Sequence, residues 1–217
     1  MDLFDYMREN ALRQEAPLAV RMRPRSLEEI VGQTHILGEG KLLYRAVRAD
    51  AVGSMILYGP PGSGKTTIAE VISRETKSEF CRLNATTSGK KEMEEVIQEA
   101  RENFGRGKRT TLFVDEIHRF HKGQQDFLLP YVEDGTVALI GATTENPFFE
   151  VNAALLSRSR IFELKPLAAA DIAALLRRAM ADKERGYGNW RAELTEEACA
   201  FLSDAAGGDA RTALNAL

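Results

Sequence analysis

The sequence predicts an α/β fold: a doubly wound, five-stranded parallel sheet flanked by helices, followed by the start of a small helical domain. Three observations carry that expectation. Short apolar, β-rich runs at 55–58, 79–84, 110–114, 137–144 and 161–164 alternate with stretches of helical spacing. The first run, Met55-Ile56-Leu57-Tyr58, leads directly into a glycine-rich loop and then a helix. Beyond Pro166 only helical patterns remain, which puts a domain boundary there.

The glycine-rich loop is Gly59-Pro60-Pro61-Gly62-Ser63-Gly64-Lys65-Thr66, and it fits G-x-x-x-x-G-K-[ST] in full. Glycines at these positions let the backbone N–H groups turn inward as a nest for phosphate oxygens. Lys65 supplies a mobile cation for the β- and γ-phosphates, and the Thr66 hydroxyl is a Mg²⁺ ligand candidate. Thr67 follows at the head of the helix, whose positive N-terminal end also faces the phosphates. A glycine turn in an ordinary loop is the bland alternative, and a strand before and a helix after disfavour it. The loop predicts binding of a nucleoside triphosphate with Mg²⁺.

Upstream, residues 1–16 scatter Leu3, Phe4, Tyr6, Met7 and Leu12 among charges, which predicts a short amphipathic helix or a loosely held arm. Ser26 with Glu29 reads as a capping box opening a short helix that Gly32 ends. A helix through 40–48 leads to the first strand. The second strand ends on Asn84, and a polar turn and an amphipathic helix with Met93, Val96, Ile97 and Ala100 on one face follow.

The run Thr110-Thr111-Leu112-Phe113-Val114 ends in Asp115-Glu116. At a strand end beside a phosphate loop, Asp115 is suited to the Mg²⁺ hydration shell and Glu116 to polarising an attacking water. His118 and His121 sit three apart, but no cysteine or further histidine completes a tetrahedral zinc site, so packing or nucleic-acid contact is the expectation. Arg119, His121 and Lys122 are basic candidates for DNA contact, with a solvated helix as the commoner meaning of such charges. The fourth strand ends in Thr143-Thr144-Glu145-Asn146-Pro147, which places polar groups where a γ-phosphate belongs. In the helical tail, 171–180, 196–205 and the segment from Ala210 form helices, and Ala213, Leu214 and Leu217 make an apolar face with nothing left to cover it. That predicts a fragment of a longer protein.

Composition bounds the rest. With 217 residues, 44% hydrophobic and 28% charged, the chain has the make-up of a soluble globular protein. Its acidic start and lack of a long apolar run give no signal peptide or membrane span, and Cys81 and Cys199 read as reduced thiols, so the expected location is cytoplasmic. A net charge of −3 argues against wholesale electrostatic coating of nucleic acid and leaves room for a local basic strip.

With these motifs in place, the chain resembles an AAA+ ATPase, and more closely the replication-associated recombination protein family (RarA/MgsA type), kin to the Werner-helicase-interacting ATPase. The likeness runs from Pro17 over nearly the whole chain. It is specific in Pro17-Leu18-Ala19-Val20-Arg21-Met22-Arg23-Pro24, in 113–120, in 140–147 and in Gly208-Asp209-Ala210-Arg211-Thr212-Ala213-Leu214-Asn215. The resemblance implies an N-terminal arm (1–16), an AAA+ domain (17–166) and the start of a helical lid (167–217). It implies that Arg23, Pro24, Ile30, Val31 and Gly32 wrap the adenine and that Asn84 restrains Glu116. Thr144, or alternatively Asn146, is implied as first sensor of the γ-phosphate. Arg158, or alternatively Arg160, is implied as the finger given to a neighbouring subunit, and Arg211 as second sensor.

The same resemblance implies ATP and Mg²⁺ as ligands, DNA (branched or with strand junctions) as partner, and a nucleoid-associated location. It implies a homo-oligomer built through a C-terminal part, with single-stranded DNA-binding protein or other fork proteins as further partners. The expected function is ATP hydrolysis in replication-fork maintenance and recombination. The rival is a clamp-loader-like adaptor that uses nucleotide as a switch with little turnover; a P-loop kinase is a weaker third, since Asp115-Glu116 with Arg211 favours water as acceptor.

Overall fold

The structure is a computed structural model that describes residues 16–217. The expected N-terminal arm therefore lies, but for Ala16, outside the described residues. In chain order the elements are α1 (Leu18–Arg21), a 3-10 turn (Leu27–Glu29), α2 (Thr34–Leu37), α3 (Leu42–Arg48), β1 (Met55–Tyr58), α4 (Lys65–Glu75) and β2 (Glu79–Asn84). Next come α5 (Lys90–Gly105), β3 (Thr110–Asp115), a 3-10 turn (Ile117–Arg119), α6 (Lys122–Glu133), β4 (Ala138–Thr143), α7 (Pro147–Glu150) and α8 (Ala153–Ser157). Finally β5 (Arg160–Glu163), α9 (Ala169–Ala181), α10 (Glu196–Ala205) and α11 (Ala210–Ala216) complete the chain.

The chain divides into two compact units. In residues 25–165 the five described strands form one sheet in the order β2-β3-β4-β1-β5, all neighbours parallel. Both faces are covered, as a parallel sheet requires. On one face Ile56, Leu83, Leu112, Val114 and Leu139 pack with Met93 and Ile97 of α5, Leu128 of α6 and Leu155 of α8. On the other, Met55, Leu57, Phe113, Ile140 and Phe162 pack with Ile68 and Ile72 of α4 and Leu43 and Val47 of α3. Successive strand residues alternate between the two clusters, Ile56 to one and Leu57 to the other, which is the period of two made visible. Cys81 lies in the first cluster, and burial, with Glu99 beside it, pushes its thiol up to about 11.

The second unit joins residues 166–217 to the described chain up to Pro24. Residues 17–24, expected in the α/β domain, thus cluster with the helical segment, because Leu18 and Met22 are buried and α1 packs on α11. The same packing covers the α11 face: Ala213 and Leu214 are buried against α1 and α9, so the uncovered face expected from the sequence is not found. The capping box at Ser26 is also not formed; its side chain makes no cap bond, and Glu29 Oε2 accepts from the Arg25 N–H at 3.1 Å instead. Among the described residues no helix is long and apolar enough to cross a membrane.

Candidate functional site

The carboxyl ends of β1, β3 and β4 are adjacent, and the residues singled out by motif gather along that edge. The loop after β1 is fixed to its neighbour by the Gly59 N–H, which donates to the Thr143 carbonyl at 3.2 Å. Gly62 and Gly64 hold φ of 68° and 100°, the left-handed region where a side chain is strained, and Gly64 caps the 11-residue helix α4. Lys65 bends back so that Nζ donates to the carbonyls of Gly59 (2.7 Å) and Pro60 (2.8 Å), and Ser63 Oγ donates to the Pro60 carbonyl at 2.8 Å. The loop thereby keeps a curled form with a cation at its centre and a helix N-terminus behind it. This donor set fits a polyphosphate.

Gly59 leaves no room for a side chain. Its φ is 152°, and an added Cβ would lie 2.3 Å from the Leu164 carbonyl oxygen, a backbone atom that cannot step aside. Gly59→Ala is expected to cost about 1–3 kcal/mol of stability, read as a lower denaturation midpoint with an unchanged slope.

Gln33 is a structural part the sequence did not reveal. Buried and left-handed (φ 53°), it donates through Nε2 to the carbonyls of Ser63 (3.2 Å) and Lys165 (2.7 Å), and its Oε1 accepts from the Lys165 N–H (3.1 Å). It ties the phosphate loop to the chain beyond β5. A single glutamine after Gly32 carries no spacing that announces such a role.

Asp115 closes β3 and pairs with Arg82 Nη2 at 2.8 Å. Glu116 follows with φ 52° and ψ 47°, a left-handed conformation that costs a non-glycine residue about 1–2 kcal/mol. Gln33, Asp50 and Lys77 share this conformation, and at Glu116 it falls on a carboxylate directly beyond a buried strand. Glu116 Oε2 accepts from Thr144, whose N–H and Oγ1 both lie 3.4 Å away, and His118 Nδ1 stands 3.3 Å from the same oxygen.

Asn84, by contrast, spends its Oδ1 on Thr86, accepting from the N–H at 2.9 Å and the hydroxyl at 2.6 Å. Among the described residues Glu116 is met by the β4 end and His118, and the restraint implied for Asn84 is not made here. Asn146 caps α7 by accepting from the Phe148 N–H at 3.0 Å, which leaves Thr144 as the sensor candidate in touch with Glu116. His121 caps α6, its Nδ1 accepting from the Gln124 N–H at 3.3 Å. Arg119 and Lys122 are exposed beside it.

Arg158 ends α8 and is exposed. It pairs with Glu133 at 2.5 Å, and its Nη1 donates to the Ala154 carbonyl at 2.9 Å. Arg160 is exposed at the start of edge strand β5. Ile30, Val31 and Gly32 are half-buried in the α/β unit, whereas Arg23, Pro24 and Arg211 belong to the helical unit. Arg211 lies exposed in the first turn of α11, where Asp209 Oδ1 accepts from the Arg211 and Thr212 N–H groups.

The family described as "ATPase family associated with various cellular activities (AAA)" matches residues 55–167. The chain belongs to this AAA family. Its relatives include the replication-associated recombination protein A of Escherichia coli K12, 54% identical over 93% of the chain and 45% of that protein. The Bacillus subtilis protein of the same name is 48% identical over 93% of the chain and 47% of the relative. "ATPase WRNIP1" of Dictyostelium discoideum is 42% identical over 93% of the chain and 23% of its own length. The chain thus spans less than half the length of these curated relatives. Among solved structures, the RuvB Holliday junction branch migration motor of Thermotoga maritima superposes with a TM-score of 0.71 at 27% identity, over 89% of this AAA chain and 63% of that one.

Proposed function

We propose that this chain is the ATPase core of a DNA-associated AAA+ protein that acts in replication-fork maintenance and recombination. The observation that supports it most is the gathering, along one sheet edge, of the curled loop around Lys65, the Asp115–Glu116 pair and Thr144. In this reading Gly59, Pro60, Pro61, Gly62, Ser63, Gly64, Lys65, Thr66 and Thr67 cradle the triphosphate. Arg23, Pro24, Ile30, Val31 and Gly32 enclose the adenine. Thr66 and Asp115 hold Mg²⁺, which when bound neutralises charge on the β- and γ-phosphates. Glu116 takes the proton of the attacking water, Thr144 senses the γ-phosphate and Arg211 acts as second sensor. Arg158 completes the site of a neighbouring copy. The exposed Phe148 and Phe149 on α7, packed next to α8, are the kind of apolar surface a neighbouring copy would cover.

The domain division proposed is an α/β ATPase domain followed by a helical lid from residue 167. DNA with branches or strand junctions is the proposed macromolecular partner, together with fork proteins such as single-stranded DNA-binding protein, and the proposed location is the cytoplasmic nucleoid.

The test is ATP turnover with and without DNA, beside nucleotide titrations of Lys65→Ala. Removing the Lys65 cation forfeits charge-assisted hydrogen bonds of about 1.5–3 kcal/mol, so Kd should rise tenfold or more while the fold persists. Unchanged affinity in a folded variant would place the nucleotide elsewhere. Tight binding with no turnover, even in the full-length protein with DNA, would favour the clamp-loader-like switch instead.

A further inference from the structure

The two carboxylates have separate surroundings, and those of Glu116 come from one side. Its Oε2 is approached by Thr144 and by His118, both at the β4 side of the site, while Asn84 on β2 is committed to Thr86. His118 is not a surface histidine: its side chain is 8% exposed. Its Nδ1 lies 2.8 Å from Thr143 Oγ1 and 3.3 Å from Glu116 Oε2. Thr143 is fully buried, and its Oγ1 already accepts from the Glu145 N–H at 3.0 Å.

We propose that His118, anchored on Thr143, is a positioning residue for the Glu116 carboxylate, an inference that rests on the hydrolytic reading above. A carboxylate that accepts from His118 requires one tautomer. An ionised carboxylate offers no proton, so the nitrogen facing it must supply one. Nδ1–H then points between Glu116 Oε2 and Thr143 Oγ1, and Nε2 is left with the lone pair. A glutamate side chain free to turn loses order worth about 1–2 kcal/mol when it is fixed; a buried imidazole beside Oε2, held by a buried threonine, limits that freedom before substrate arrives. The backbone at Glu116 is left-handed, and its Oε2 lies 3.4 Å from Thr144 Oγ1 and 3.3 Å from His118 Nδ1. A displacement of about 1 Å in a reacting group is enough for a hundredfold loss in rate, so a loosened base lowers turnover without touching the phosphate loop.

The first test needs no turnover. The chain has three histidines, His35, His118 and His121, so imidazole ¹⁵N spectra are sparse and assignable by substitution. His118 should report a proton on Nδ1 and a lone pair on Nε2, and its Nδ1 signal should shift in Glu116→Gln. His121, whose Nδ1 accepts from Gln124, is the internal control with the opposite tautomer. A proton on His118 Nε2, or a His118 signal indifferent to Glu116→Gln, overturns the proposal.

The second test is kinetic and uses the full-length protein. His118→Asn keeps an N–H donor at the Nδ1 position and should retain most of kcat. His118→Leu should lower kcat by about ten- to a hundredfold with KM unchanged, and should add nothing in a Glu116→Gln background. Equal losses for Asn and Leu, or a raised KM with intact kcat, would reduce His118 to packing and sink the idea. Wild-type protein that binds ATP without turning it over would sink the hydrolytic reading, and the tie between His118 and Glu116 would then stand or fall on the spectra alone.

Discussion

Glu116→Gln is expected to bind ATP as well as the wild type and to hydrolyse it slower by about a hundredfold or more, the usual yield of a positioned base. The amide keeps the size of the side chain and still accepts from Thr144, so the left-handed backbone and its contacts persist. What disappears is the capacity to take a proton. Asp115 should behave differently. Its carboxylate is held by Arg82 at 2.8 Å, whereas that of Glu116 meets Thr144. Asp115→Asn removes a negative charge from the place proposed for Mg²⁺ and should weaken Mg²⁺-dependent binding as well as turnover. Titration of a fluorescent ATP analogue with and without Mg²⁺, beside phosphate release, separates the two. The same phenotype from both substitutions would refute the division of labour between them.

How far the sequence alone reaches follows from what each feature depends on. The phosphate loop and the strands are local: three glycines at fixed spacing and short apolar runs specify conformation within a few residues. The observed sheet accordingly has the five parallel strands expected. Features that depend on distant segments meeting were not legible. Ser26 and Glu29 are a local exception: they have the spacing of a capping box, yet a three-residue 3-10 turn forms and Glu29 turns to Arg25. Ala213 and Leu214 look uncovered only because α1, nearly 200 residues earlier, is not their neighbour in sequence. His118 reads as half of a failed zinc pair until β4 places Thr143 against it. Gln33 acquires its task only when the chain after β5 arrives beside the phosphate loop. In the last three cases the side chain was visible and its partner was not.

Arg158→Ala is expected to leave nucleotide affinity nearly intact and, in an oligomer, to lower turnover by about a thousandfold or more, the contribution of an arginine supplied in trans to a transferring phosphoryl group. Within its own chain Arg158 is an exposed side chain at the end of α8, next to edge strand β5, bound to Glu133 and to the Ala154 carbonyl. A half-exposed ion pair of this kind stabilises a fold by about 0–1 kcal/mol, so the variant should fold normally and a large rate loss cannot be charged to unfolding. Reaching a neighbour requires Arg158 to leave Glu133, a small cost beside the charge it would meet on the phosphates. Where the protein is monomeric, with no neighbour to receive the arginine, the substitution should change little. Mixing full-length Arg158→Ala with full-length Lys65→Ala gives the decisive readout. Each should turn over little ATP by itself, yet a mixed interface would join an intact Lys65 pocket to an intact Arg158, and part of the activity should return. If mixed oligomers form and activity stays absent, Arg158 is not the trans residue, and Arg160 at the exposed start of β5 takes its place as the candidate.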